Sequence, residues 1–105
     1  MVDFENVPYV VVKGLLPYII LAAIEKIGGG TVCKALRYIE TEFNMRISPS
    51  TMYTTVYSLE RQGYIQIVEG KIKYGVTDKS LVLLQDAVKT MKELFPKIEA
   101  FLEKY

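Results

Sequence analysis

The chain has 105 residues, half of them hydrophobic, with 13 basic and 12 acidic side chains and a formal charge of +1. That length suits one domain with one modest core, and the composition excludes a disordered chain and a strongly basic nucleic-acid packager. With no His and a single Cys, Cys33, the usual Cys/His metal sites, Ser-His-Asp and Cys-His catalytic arrangements and an intrachain disulfide are excluded as well.

Residues 1–13 read in more than one way. Tyr9-Val10-Val11-Val12 has strand composition, yet it is short and follows Pro8, so an extended arm or the start of a helix fits equally. The first six residues carry two acids and no basic stretch, unlike a signal peptide. The longest apolar run, 15–24, is about half the length of a membrane span. With the single thiol, these features predict a soluble cytoplasmic protein with no membrane partner.

From Leu15 the pattern turns helical, because Leu16, Ile19, Ile20, Ala23, Ile24 and Ile27 recur at three and four residues. Pro17 suits the first turn, and Gly28-Gly29-Gly30 stops the helix. Thr31 is a candidate N-cap for a second helix, with Leu36, Ile39 and Phe43 on one face. After a connector at 44–47, Ser48 as cap and Pro49 at the first helical position open a third helix. Its apolar stripe is Met52, Val56 and Leu59, and Gly63 suits a left-handed end. Residues 64–68 and 71–76 predict a hairpin around a Glu69-Gly70 turn. Thr77 or Asp78 then caps a last helix running towards Tyr105, with a kink or a break expected near Phe95 because of Pro96.

This order predicts a mainly α (α+β) fold, a winged helix-turn-helix with a C-terminal dimerisation helix. Residues 1–77 would form the DNA-binding unit with its N-terminal arm. Residues 78–105 would form the dimerisation helix of the same compact unit.

The third helix has the character of a DNA reader. Successive residues turn by about 100°, so the face opposite Met52, Val56 and Leu59 holds Ser50, Thr54, Tyr57, Ser58 and Arg61, with Thr51 at its side. These are hydroxyls, one aromatic tip and one guanidinium, with no acid among them. The major groove admits such a helix and displays a base-specific pattern of donors and acceptors. A polar face alone is what any surface helix has; the neighbouring cations set this one apart. Lys71 and Lys73 sit on the expected wing, Arg46 just before the third helix, and Lys34 and Arg37 on the second, all able to meet backbone phosphates.

In the last helix Leu81, Leu84, Val88, Met91, Phe95, Ile98, Leu102 and Tyr105 follow alternating steps of three and four. A second row, Ala87, Leu94 and Phe101, widens the stripe. A domain this small cannot cover so broad a face, which predicts packing on the first helix and on a second copy of the chain. Leu84, Val88, Met91, Phe95, Ile98 and Leu102 are the expected interface.

The stretch Ile47-Ser48-Pro49-Ser50-Thr51-Met52-Tyr53-Thr54-Thr55-Val56-Tyr57-Ser58-Leu59-Glu60-Arg61-Gln62-Gly63-Tyr64-Ile65 closely resembles the signature of the PadR family of transcriptional regulators. Lys13-Gly14-Leu15-Leu16 with Ile19-Ile20-Leu21-Ala22, and Lys73-Tyr74-Gly75-Val76-Thr77, resemble the family's first helix and the end of its wing. The resemblance covers roughly residues 13–80. It implies a homodimeric regulator, usually a repressor, with the third helix in the major groove of a pseudo-palindromic operator on double-stranded DNA. It also implies packing roles for Tyr53 and Leu59 and a structural role for Glu60. Two departures are Val32-Cys33, where the family commonly has Gly-Tyr, and a shorter wing. The first bears on any inherited effector response and the second on wing contacts with DNA.

Two other classes compete. One is a protein-interaction winged helix that does not bind DNA, supported by the near-neutral charge. The other is a sensor whose effector, of no identified chemistry, would sit between C-terminal helices against Tyr18 and Phe101. No enzyme is expected, with no catalytic residue, metal or cofactor. Glu40 and Glu42 read as a solvated helix face, and the triple Gly lacks the Lys-Ser/Thr of a phosphate loop. Cys33 reads as a buried thiol rather than a redox switch.

Overall fold

The computed structural model of the protein describes residues 3–68 and 73–103. It is mainly helical, with a two-stranded antiparallel sheet: α1 (Val7–Gly14), α2 (Leu16–Lys26), α3 (Val32–Phe43), α4 (Pro49–Arg61), β1 (Ile65–Val68), β2 (Lys73–Val76) and α5 (Asp78–Leu102).

The ambiguous N-terminal stretch is helical from Val7. The Asn6 side chain accepts a hydrogen bond from the Tyr9 N–H (3.4 Å), Pro8 occupies the first turn, and Val12 is buried. Packing of that one face overrides the strand preference of three consecutive valines. α1 meets α2 at a bend of 74°, and among the described residues no single helix is long and apolar enough to cross a membrane.

α2 is the centre of the core. Leu16, Ile20, Leu21, Ala23 and Ile24 are buried, and the helix contacts α1, α3, α4, α5 and β2. The glycines that end it do more than stop it. Gly28 and Gly29 take positive φ (73° and 87°), a region that favours glycine. Gly30 then pairs with Tyr74 of β2 through both backbone bonds, Gly30 N–H to Tyr74 O at 3.0 Å and Tyr74 N–H to Gly30 O at 2.7 Å. A Cβ on Gly29 would stand 3.1 Å from that same Tyr74 oxygen, so the approach of the hairpin needs glycine there.

Thr31 caps α3 as expected, accepting from the Lys34 N–H at 3.2 Å. The buried face of α3 is Val32, Ala35 and Ile39. Phe43, expected on that face, is 42 % exposed, because it lies one turn beyond the last residue that reaches the core. α4 starts with Pro49 in its first turn, but the Ser48 hydroxyl makes no capping bond. Pro49 lacks an N–H, and the Ser48 carbonyl accepts from Met52 N–H at 3.0 Å. Met52, Val56 and Leu59 are buried as the stripe predicts, and Gly63 leaves the helix at φ 81°. The hairpin pairs Ile65 with Val76, Gln66 with Gly75, Ile67 with Tyr74 and Val68 with Lys73. The expected turn at Glu69-Gly70 lies outside the described residues.

α5 runs through Pro96 for 25 residues. The break expected near Phe95 does not occur. Proline deprives the Lys92 carbonyl of its partner, but Lys92 and Pro96 are exposed and water can take that place. Ser80 and Ala87 are the buried residues of α5, and no described residue from Val88 onward is buried. The helix ends at Leu102, and Tyr105 lies outside the described residues.

Met52 is completely buried. Met52→Ala is expected to cost about 2–5 kcal/mol through lost burial and a residual cavity, whereas Phe43→Ala should cost well under that. Urea denaturation of the two variants beside wild type measures the difference.

Candidate nucleic-acid interface

With its apolar stripe buried, α4 turns Ser50, Tyr53, Thr54, Tyr57 and Arg61 outward, while Thr51 and Ser58 are half-buried at the margins. Tyr53 departs from the packing role that the family resemblance implies. It is 42 % exposed, and its ring lies 6.0 Å from that of Tyr57, tilted by 45°. Tyr53 precedes Tyr57 by one helical turn, so the same rotation that selects Tyr57 selects Tyr53 too. Leu59 is buried and Glu60 half-buried.

The hydroxyls on this face are not equivalent. Thr54 Oγ1 donates to the Ser50 carbonyl at 2.8 Å, so its remaining capacity is as an acceptor. An acceptor there suits the amino groups that adenine and cytosine display in the major groove. Ser58 Oγ instead accepts from Gln62 Nε2 at 3.0 Å and keeps its own proton free to donate, as a phosphate oxygen requires. Thr55, half-buried, donates to the Thr51 carbonyl at 2.9 Å.

Among the cations, Lys34, Arg37, Arg46 and Arg61 are all exposed. Arg37 and Arg46 border one open groove together with Thr41 and Asn44, and Lys34 joins Arg37 along an adjoining hollow. The α4 hydroxyls are not walls of either, so the α3 cations and the α4 face form neighbouring rather than merged surfaces. Lys71 lies outside the described residues, and Lys73 is described through its backbone pairing with Val68.

Glu40 corrects the expectation of a solvated carboxylate. It is half-buried, and its Oε2 accepts from the Ile47 N–H at 2.9 Å. This bond ties the connector to α3, while Ile47 itself is buried, and together they set the angle at which α4 starts. Only the folded turn brings an N–H seven residues away into reach. Glu42 is exposed, as expected. Cys33, read as a buried thiol, is exposed on the outer side of α3, beside the inward-facing Val32.

The expected interface residues on α5 divide. Leu84 is partly buried against the protein's own core. Val88, Ile98 and Leu102 are exposed, and Met91 and Phe95 partly so. Tyr18 lines a mostly apolar hollow between α2 and α5 of one chain with Leu15, Leu83, Met91 and Phe95, not a space between two C-terminal helices. Phe101 is not among the residues of that hollow.

Beneath the aromatic side of α4, Tyr74 is buried on β2. Burial pushes its phenol above the ordinary 10.0, and the charge of Glu60 and then the phenols of Tyr57 and Tyr53 push it further. No protein-family model matches the chain and no curated protein matches it, which leaves the PadR resemblance on the residues quoted for it.

Because the folded-state value of Tyr74 lies above the unfolded one, its contribution to stability is full below pH 10.0 and is lost as pH rises through the folded value. Tyr74→Phe should therefore flatten the alkaline fall in Tm, and thermal melts of both proteins across that range measure it.

Proposed function

We propose that the protein is a homodimeric, winged helix-turn-helix transcriptional regulator of the cytoplasm, repressing from a pseudo-palindromic operator on double-stranded DNA. The observation that carries the reading is the outer face of α4. A helix braced from behind by Met52, Val56 and Leu59 presents Ser50, Thr54, Tyr57 and Arg61 together, with no acid on that face. α3 precedes it, carrying Lys34 and Arg37, and the hairpin follows it; this is the order of helices and wing that seats a reading helix in the major groove.

In this reading Thr54 and Ser50 meet base edges, and Arg61, Arg46, Arg37 and Lys34 meet phosphates, with Lys71 and Lys73 on the wing. The outer half of α5 supplies the dimer contact through Val88, Met91, Phe95, Ile98 and Leu102. Twofold symmetry then sets two α4 helices in successive major grooves. The competing reading, a protein-interaction module, draws on the net charge of +1 and on the exposed Tyr53 and Tyr57.

Salt dependence separates the two. Six phosphate-binding cations per protomer, taken over two protomers, predict a log–log slope of affinity against salt of about −11. Fluorescence anisotropy with random-sequence duplex at two salt concentrations measures it. Thr54→Ala/Arg61→Ala should weaken binding and shallow the slope by about 2 through the lost arginine of each protomer. Absence of binding at low salt would contradict the proposal and favour a protein partner.

A further inference from the structure

Side chains at the start of α5 close on three consecutive backbone carbonyls where the chain leaves α4. Lys79 Nζ donates to the Gln62 carbonyl at 2.7 Å. Thr77 Oγ1 donates to the Gly63 carbonyl at 2.9 Å. The Tyr64 carbonyl accepts from the Thr77 N–H at 3.3 Å and from Ser80 Oγ. Lys79 Nζ also stands 4.5 Å above the Tyr64 ring.

The last α4 carbonyls accept locally, Ser58 from Gln62 N–H, Glu60 from Gly63 N–H and Leu59 from Tyr64 N–H, whereas the carbonyls of residues 62–64 lie just past the helix and would otherwise turn to water. Here they take their donors from another helix. Thr77 sits at the N-cap of α5, yet its hydroxyl makes no capping bond and faces α4's exit instead. Ser80, a polar residue, is completely buried at the same place. A positive Lys79 beside the C-terminus of α4 also complements that helix's dipole.

We propose that Thr77, Lys79 and Ser80 are positioning residues: they bolt α5 to the exit of α4 so that the two helices move as one body. Packing against α2 holds α4 and α5 each to the core, and these bonds add a direct tie between the two helices that opposes rotation at Thr77. The bolt removes that rotation. In a dimer joined through α5, the pairing of the two arms then sets the separation and angle of the two α4 helices, and so the half-site spacing an operator must have. That last consequence rests on the DNA-reading proposal, whereas the rigid coupling does not.

The test uses the full chain with Cys33→Ser and spin labels at Ser50→Cys and Lys92→Cys, both exposed positions, diluted into unlabelled protein so that distances within one chain are read. Wild-type contacts should give one narrow distance distribution. Thr77→Val/Lys79→Met keeps the side-chain shapes, removes the donors, and should broaden and shift it, while Thr77→Ser should keep it narrow. Lys79→Met alone, at an exposed position, serves should the double variant not fold, and should broaden the distribution to a smaller extent. A distribution that stays narrow in these Val and Met variants overturns the bolt.

The second arm measures binding of unlabelled proteins to duplexes carrying two selected half-sites at successive spacings. Wild type should accept one spacing and the variant its neighbours too, with single half-site affinity unchanged. A broadened distance distribution with unaltered spacing selectivity overturns the link to the operator. Broadening with no DNA bound by either protein supports the bolt and removes the DNA reading instead.

Discussion

Helix α2 touches every other helix of the chain and the second strand of the hairpin. Its five buried side chains leave little of its surface for solvent, and burial of each large one is worth about 1.5–3 kcal/mol. α3, α4, α5 and the hairpin are therefore arranged around it as a common partner. α4 must turn Met52, Val56 and Leu59 inward, and that requirement is what sends Ser50, Thr54, Tyr57 and Arg61 outward. The candidate interface is thus a by-product of how the core is filled.

Local bonds refine what α2 dictates. Glu40 holds the connector before α4 by its backbone, and Gly30 holds Tyr74 at both of its backbone groups. The start of the proposed reading helix and the base of the hairpin are each fixed to the body by hydrogen bonds that use none of the outward side chains of α4. Residues on that surface can then be chosen for recognition without cost to the fold, as functional sites on rigid scaffolds generally permit.

Much of this was legible in the sequence, for physical reasons that differ by element. α2, α3 and α4 announce themselves by period, caps and terminal glycines, because their apolar stripes are what the core uses. α1 was not decided, since three valines prefer a strand locally and only the burial of Val12 tips the balance. Phe43 misled because periodicity continues past the point where the core ends. Pro96 does not break α5, because an exposed helix can hand the orphaned carbonyl to water. On the candidate site, the outward face of α4 followed from rotation alone. Tyr53 was assigned to packing through the family resemblance, although its place one turn before Tyr57 puts it beside that face. The brace from Glu40 was hidden, since it joins groups seven residues apart that only the turn brings together.

The outer half of α5 carries surplus apolar surface, with Val88, Ile98 and Leu102 exposed on a helix whose inner half already packs on α2. Its burial against a second copy and the reading of DNA by α4 are parts of one account, because a symmetric pair of reading helices needs a symmetric joint. The most direct test is to follow the backbone amides of isotope-labelled protein by nuclear magnetic resonance while duplex DNA is added. The account predicts shifts concentrated at Ser50 to Arg61 and at Lys34, Arg37 and Arg46, with the outer half of α5 unmoved. Shifts confined to α1 and α5, or none at saturating DNA, would contradict it.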